Sequence, residues 1–443
     1  MSDFQYKNNK FTSKDIDAQD TGVTIKEALL LIRDSEYYDD IYAALKVGEI
    51  INETVAIPGA RMLISCVDAE SKRYTKVDVS KKYEDLQFEI SDDESVINIA
   101  FPSSDNYPVA FTASPIYSAQ TDFFENSCSM SKYANKLIRR ERIDVVLENL
   151  ESIRSIYTEG KDTHEYKYRL LKDSKGNHFF RATTSITHYK DYNIGLSVFV
   201  ALVALYRHMQ ATTDKFVVNR CEYNESSIRV YFEKLGKRST PIGEVKYLVE
   251  LNNSEIKEGA VRFSGVCAIL IEDNKADRDA IHKEKIHLGI ETDYEEYEEG
   301  GKRELLVKPR PTNLRYSIQG IKHNVNPKKA IPSMILASKI QKNEAKIYDD
   351  LASIGEARSF SAIRKSIVDK VKRIQKESEL GEFKSSMQKE IPEAIENYHE
   401  LLRLLNRLDL IASSSLDAKE QLRYLFYEAL IERRNLGFEQ PEE

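Results

Sequence analysis

The first third of the chain alternates between two hydrophobic patterns. Apolar residues recur every three or four positions over residues 22–52, which predicts helices there. Residues 54–115 carry short apolar runs separated by Gly, Pro, Asp and Ser, which is typical of β-strands. Helical spacing returns over residues 130–156. We therefore predict a mixed α/β N-terminal region over residues 1–156.

The centre of the chain has the pattern of paired strands around one apolar helix. Residues 173–177, with the sequence Asp-Ser-Lys-Gly-Asn, lie between two alternating runs and predict a hairpin turn. The segment 191–209 is apolar nearly all round, which predicts a buried helix. Two more hairpin-like pairs of strands follow it. We expect an antiparallel α+β domain over residues 157–320.

Beyond residue 332 almost every apolar residue recurs at helical spacing. A helix is predicted over residues 361–377, because four apolar side chains share one of its faces: Ile363, Ile367, Val371 and Ile374. We predict an all-helical C-terminal domain over residues 321–443, and an α+β fold class for the whole chain. The apolar stripes of this domain offer a surface for a homo-oligomer or a protein partner.

Composition narrows the class of protein and its setting. The 443 residues are 41% hydrophobic and 31% charged, as in a soluble globular protein. The most apolar run is about thirteen residues, whereas a membrane span needs about twenty. The four cysteines form no CxxC pair, which favours a reducing cytoplasm over a zinc site or a disulfide framework. We expect a cytoplasmic protein without a membrane span.

The charge of the chain is distributed unevenly. The net charge is −7, but residues 1–130 carry −11 and residues 301–377 carry +11. Such asymmetry indicates a polyanionic partner or self-association between opposite patches. We call residues 301–377 the basic belt. Its first part mixes Lys and Arg with Tyr, Pro and Asn, which suits contact with a phosphate backbone and some stacking of bases.

Two functions of different classes follow from the basic belt. The first is a non-catalytic protein that binds DNA or single strands, and the second is a structural protein that assembles by joining acidic to basic patches. For the first function we predict a set of cations in the basic belt as nucleic-acid contacts. These are Lys302, Arg303, Lys308, Arg310, Arg315, Lys328, Lys329, Arg364, Lys365, Lys372 and Arg373.

Catalytic motifs are scarce in the sequence. It has no glycine-rich phosphate loop, no nucleophile elbow and no paired-histidine metal motif, so we predict neither a cofactor nor a metal site. Glu244-Val245-Lys246 resembles the ExK of Mg²⁺-dependent nucleases, which would need further acids such as Glu222, Glu225 or Glu233. We interpret this tripeptide as incidental, and a nuclease stays the weaker alternative.

One stretch of the central domain carries a family resemblance. Arg181, Ala182, Ser185 and Tyr189 precede the apolar helix, and Asn253, Ser254 and Glu255 follow a later strand. This pattern of short words, over about 110 residues, resembles the phage/plasmid-like proteins of unknown function. The resemblance implies a protein of a mobile element or of an anti-phage defence system.

The matched polar residues allow two interpretations. The asparagine and serine side chains bond their own turn, or they are displayed to a partner while Glu255 faces Arg181. We expect a structural Arg181–Glu255 clamp with bidentate geometry, since such a pair would fix the strand register. In this role the motif residues are Arg181, Ser185, Tyr189, Asn253, Ser254 and Glu255.

Overall fold

The computed structural model describes most of the chain and confirms the predicted α+β class. The described residues are Phe4 and 6–92, 94–103, 107–160, 165–256, 260–272, 302–333, 337–354, 359–376, 378–412 and 416–432. Antiparallel strands dominate the first three quarters of the chain, and helices dominate the last quarter.

Sixteen strands are present among the described residues. They are β1 (Asn9–Thr12), β2 (Val23–Thr24), β3 (Thr54–Val55), β4 (Thr75–Lys82), β5 (Gln87–Ile90), β6 (Ile97–Phe101), β7 (Phe111–Pro115), β8 (Glu165–Lys172), β9 (His178–Thr184), β10 (Phe216–Tyr223), β11 (Ser227–Lys234), β12 (Arg238–Thr240), β13 (Gly243–Ser254), β14 (Ala260–Glu272), β15 (Lys302–Val307) and β16 (Ser317–Lys322).

The helices precede, separate and follow these strands. They are α1 (Ile25–Ala28), α2 (Tyr38–Ala44), α3 (Val47–Ile50), α4 (Ala60–Ser71), α5 (Ala119–Cys128), α6 (Ser131–Ile138), α7 (Ile143–Glu159), α8 (Ile194–Ala211), α9 (Pro327–Ala330), α10 (Ala337–Ala352), α11 (Phe360–Arg373), α12 (Lys384–Glu390), α13 (Tyr398–Ile411) and α14 (Leu416–Leu430). Short 3₁₀ turns lie at Ser13–Asp15, Leu29–Ile32, Tyr83–Asp85, Leu314–Tyr316, Ile331–Ser333 and Glu379–Phe383.

A six-stranded sheet has the order β4-β8-β9-β7-β6-β5 and is antiparallel except between β7 and β9. The predicted turn at residues 173–177 joins β8 to β9. The Asp173 carboxylate accepts the backbone N–H groups of Lys175 and Asn177 at 2.9 and 2.8 Å, and Gly176 adopts a φ of +90°. Asp is favoured in such a turn because its carboxylate accepts backbone N–H groups, and Gly because it adopts a positive φ without strain. The turn could therefore be predicted from the sequence.

This sheet takes strands from both sides of the predicted boundary at residue 156. Strands β4 to β7 come from the predicted N-terminal region, whereas β8 and β9 come from the predicted central domain. Strand β1, near the N-terminus, pairs instead with β10 of the larger sheet. Sequence-distant strands therefore build both sheets, and local patterns do not report such pairings.

The larger, eight-stranded sheet follows the order β1-β10-β11-β13-β14-β15, with β12 beside β13 and β16 beside β14. Along its long strand β13, successive side chains alternate between the two faces of the sheet. Val245, Tyr247 and Val249 are buried on the face that α8 covers, whereas Lys246 and Glu250 point to the opposite face. We call this opposite face the outer face. It carries charged side chains that the C-terminal helices partly cover.

Helix α8 is the buried helix that the sequence predicts. Asn193 caps its first turn, with the side-chain oxygen accepting the Leu196 N–H at 2.8 Å. The helix is long and apolar enough to cross a membrane, but 72% of it is buried inside the protein. Core helices of soluble proteins have this character, so α8 gives no evidence of a membrane span.

Helix α11 is the predicted helix of the basic belt, and it is shorter than expected. Ile363, Ile367 and Val371 are fully buried, as predicted, but the helix ends at Arg373 rather than at residue 377. The ammonium group of Lys384 donates to the carbonyl oxygens of residues 372 and 374 at 2.7 and 2.9 Å. These bonds satisfy carbonyls that have no partner within the helix, and they fix its end.

Candidate functional site

Two of the predicted nucleic-acid contacts lie inside the protein. Arg303 is 4% exposed and pairs with Asp409, while its Nη1 donates to the Asn406 side chain at 3.0 Å. Lys308 is 2% exposed and lies 2.5 Å from Glu250. A buried cation held by a carboxylate is not accessible to a phosphate backbone. These two residues have structural positions, contrary to our expectation.

Five more of the predicted contacts are at the surface but have protein partners. Lys302 pairs with Glu244 at 3.0 Å, Arg310 with Glu428 at 2.6 Å, Arg315 with Asp350 at 2.5 Å and Lys328 with Asp40 at 2.8 Å, while Arg364 donates to the Pro392 carbonyl at 2.6 Å. The contact between Lys328 and Asp40 joins the basic belt to the acidic N-terminal region within one chain. Each of the four ion pairs neutralises a charge that a polyanion would otherwise meet, whereas Arg364 keeps its charge because a carbonyl group is neutral.

The remaining four, Lys329, Lys365, Lys372 and Arg373, are exposed. Their side chains make no ion pair with any residue that the structure describes. Lys329 belongs to α9, which packs on α2, so it is not on the same helix as the other three. Lys376 is likewise exposed just beyond the end of α11. The structure therefore brings together three predicted contacts on one helix.

Helix α11 presents these cations away from its buried stripe. Lys365 and Lys372 are seven residues apart, which puts them on nearly the same face and about 10.5 Å apart along the axis. That distance matches on the order of three nucleotides of rise along one strand. We call Lys365, Lys372 and Arg373 the α11 cations. Their arrangement can contact successive phosphates without any base-specific chemistry.

The predicted Arg181–Glu255 contact is present, and it joins the two sheets. Arg181 lies on β9 of the six-stranded sheet, and Glu255 directly follows β13 of the eight-stranded sheet. Arg181 Nη1 is 2.9 Å from Glu255 Oε2, and both side chains are fully buried. The expected bidentate geometry is wrong, because Nε and Nη2 of Arg181 make no hydrogen bond with the described residues.

Other groups complete the coordination of the Glu255 carboxylate. Lys76 Nζ lies 2.6 and 2.8 Å from its two oxygens, and the backbone N–H of Ile194 donates to Oε1 at 2.9 Å. Burial alone would raise the pKa of Glu255, but the positive charges of Lys76 and Arg181 outweigh burial and lower that pKa. Glu255 therefore stays ionised and ties both sheets to the start of α8.

Arg169 is the part of this site that the sequence did not reveal. It is 1% exposed, with Nη2 2.9 Å from Asp191 Oδ2 and Nη1 2.8 Å from the Glu255 carbonyl oxygen. Asp78 lies opposite Arg169 in the strand register, at 3.3 Å. This cross-strand pair can be recognised only when the register of the two strands is known. We call Lys76, Arg169, Arg181 and Glu255 the junction cluster.

The other motif residues support the same junction. The Tyr189 hydroxyl donates to the Glu255 carbonyl oxygen at 2.9 Å. Ser185 is exposed, and its hydroxyl oxygen accepts the His188 N–H at 3.2 Å in the turn that precedes Tyr189. Asn253 is fully buried and donates to the Tyr192 carbonyl at 2.7 Å. Its neighbour Ser254 pairs with Ser227 across the strands. Display of Asn253 to a partner is therefore excluded, because it holds the segment before α8.

The Glu244-Val245-Lys246 fragment is split between two sets of contacts. Glu244 is a surface residue that pairs with Lys302, whereas Lys246 is buried between Glu233 at 3.2 Å and Glu304 at 2.7 Å. Among the residues that the structure describes, no group of three His, Cys, Asp or Glu side chains is placed to hold a metal ion. Lys246 is thus held by ion pairs rather than directed at an open site.

Comparison of the chain with protein-family models, with curated proteins and with solved structures found no match.

Proposed function

We propose that this protein binds nucleic acid through the phosphate backbone, with the α11 cations as its principal contact. Some predicted cations of the basic belt are buried, as Arg303 is, and others are paired at the surface, as Lys328 is. Of the predicted cations that are exposed and make no ion pair with a described residue, three lie together on α11. Exposed cations without acidic partners supply the sequence-independent part of nucleic-acid affinity, because binding releases condensed counterions.

The proposed role is binding rather than catalysis. Guanidinium and ammonium groups on one helix can position a phosphate backbone, but they provide neither a nucleophile nor a metal ligand. We place this function in the cytoplasm, a setting that agrees with four cysteines that form no disulfide. On the resemblance to phage/plasmid-like proteins, we further propose a mobile element or an anti-phage defence system as its source.

Fluorescence anisotropy with labelled single- and double-stranded oligonucleotides tests the proposal. The test variant carries Lys365→Gln, Lys372→Gln and Arg373→Gln. The matched control removes three exposed cations from another surface, through Lys132→Gln, Lys136→Gln and Arg139→Gln on and just after α6. We expect the test variant to lose affinity on the order of tenfold or more, and the control to lose much less.

Equal losses in both variants would show that binding follows net charge rather than a site on α11. A wild-type protein that binds neither oligonucleotide but forms a stable oligomer, free of nucleic acid after nuclease treatment, would instead favour the assembly function.

A further inference from the structure

A second group of cations lies on the outer face of the eight-stranded sheet, at its β1 edge. In the strand register Lys10 is opposite Glu222, and Glu222 is opposite Arg229. Arg220 is opposite Tyr231 in the neighbouring row. Directly opposed residues of antiparallel strands project from the same face with Cβ atoms about 5 Å apart. Three cations of three strands therefore surround Glu222.

Helix α14 brings further charges onto the same surface. Arg423 Nη2 lies 3.2 Å from Glu222 Oε1, and Arg423 Nη1 lies 3.1 Å from Glu420 Oε2. Glu420 also accepts from Lys308 at 2.6 Å. Lys419, one residue before Glu420, is 5% exposed. The helix thus covers one side of the charged surface and leaves the end near Arg229 open, where that side chain is 28% exposed.

Cations outnumber carboxylates in this group, which we call the outer-face cluster. Four cations accompany three carboxylates, namely Arg220, Arg229, Lys308 and Arg423 with Glu222, Glu250 and Glu420. Glu304, a further acid in reach of the Arg220 charge, is already paired with Lys246. Partly buried like charges repel strongly, because the surrounding dielectric constant is low. An added anion would relieve that repulsion.

Two arginines of the cluster retain unused donors. Arg220 is half-buried, and its side chain makes no hydrogen bond or ion pair with any residue in the described ranges. The nearest ion pair of Arg229 is long, at 3.8 Å from Glu222 Oε2. A guanidinium group presents its donors in a planar fork that matches phosphate oxygens. These two forks lie on adjacent strands, on the same face and beside the open end of the cluster.

We propose that the outer-face cluster binds a phosphate group, with Arg220 and Arg229 as the side chains that contact it. Buried Arg423 lies behind them, and Glu222 and Glu420 hold it in place. The ligand is a dianionic phosphate, either free or as the terminal ester of a larger molecule. This site does not involve the α11 cations and does not depend on their proposed function.

Thermal unfolding in sodium phosphate, compared with sodium chloride of equal ionic strength and pH, tests this site. We expect phosphate to raise the Tm of the wild-type protein by a few degrees and saturably, whereas chloride does not. Arg220→Gln and Arg229→Gln should each abolish the rise. Arg220→Gln should leave the Tm in chloride unchanged or higher, since no ion pair is lost. A triple variant with Lys365→Gln, Lys372→Gln and Arg373→Gln should retain the full response.

Oligonucleotides with a 5′-phosphate or a 5′-hydroxyl distinguish the two sources of the phosphate. If the ligand is the end of a nucleic acid, the 5′-phosphate tightens binding several-fold and Arg220→Gln removes the difference. If it is a small molecule, inorganic phosphate stabilises the protein and the two oligonucleotides bind alike. A wild-type protein that responds to neither probe, or an Arg220→Gln variant that responds as the wild type does, would overturn the proposal, whatever the α11 variant shows.

Discussion

The junction cluster and the α11 cations use the same side chains for opposite purposes. At the junction, Arg181 and Glu255 are fully buried and 2.9 Å apart, and Lys76 contacts both oxygens of that carboxylate. On α11, Lys365 and Lys372 are exposed, with no ion pair to a described residue. Burial and the nearest carboxylate therefore decide the role of a cation. Its place in a charge-rich stretch of sequence does not.

The energetics of the two regions differ accordingly. A buried charge is tolerated only with a partner, so the loss of one partner leaves an uncompensated ion in a medium of low dielectric constant. An exposed cation is solvated by water and can be removed at little cost to stability. We therefore expect substitutions at the junction to act on folding, and substitutions on α11 to act on binding.

The largest effect is expected for Glu255→Ala. The substitution removes the acceptor of Lys76 and Arg181 and leaves both cations without their carboxylate. We expect the free energy of unfolding to fall by about 3–5 kcal/mol, measured by urea denaturation. Glu244→Ala is the matched control, because it breaks a surface pair with Lys302 and should change the free energy of unfolding little. A similar loss of unfolding free energy in the two variants would show that the buried carboxylate is no more important than the exposed one.

Arg181→Ala should have the next largest effect, about 2–4 kcal/mol. Lys76 still neutralises Glu255 in this variant, so the remaining carboxylate is not left alone. A double-mutant cycle with Glu255→Ala should give a coupling energy of about 1–3 kcal/mol. Independent, additive effects of the two substitutions would show that the contact between the sheets has no energetic weight.

Acid should weaken the junction but not α11. The pKa of Glu255 is lowered in the folded protein relative to its ordinary value of 4.5, so the unfolded state binds the proton more tightly. The stabilisation from this carboxylate is present above pH 4.5 and is lost progressively as the pH falls below it toward the lowered pKa. Urea denaturation at several pH values should show a smaller decline for Glu255→Gln than for the wild type. The α11 triple variant should decline as the wild type does.

The sequence predicts correctly those features that depend on interactions between neighbouring residues. The turn at residues 173–177, the buried helix α8 and the apolar stripe of α11 depend on neighbouring residues, and all three are confirmed. The contact between Arg181 and Glu255 was predicted from a pattern of short sequence motifs. Its location between two sheets was not predicted, because strand order depends on residues far apart in the sequence.

The cations of the basic belt differ in ways that depend on residues far away in the sequence. Arg303 meets Asp409, and Lys308 meets Glu420, more than a hundred residues away in each case. Nothing near Arg303 or Lys308 distinguishes them from Lys365, which is exposed. Arg169 was missed for the same reason, since its partners Asp78 and Asp191 come from another strand and a following loop.

The salt dependence of nucleic-acid affinity shows whether the α11 cations contact phosphates. The observed binding constant should be measured by anisotropy between about 50 and 300 mM KCl, for the wild type and for the variant with Lys365→Gln, Lys372→Gln and Arg373→Gln. Each lost phosphate contact lowers the slope of log K against log salt by about 0.7–0.9, so we predict a slope smaller by about 2–3, with unchanged circular dichroism. An unchanged slope in a folded variant would show that the α11 cations do not contact nucleic acid.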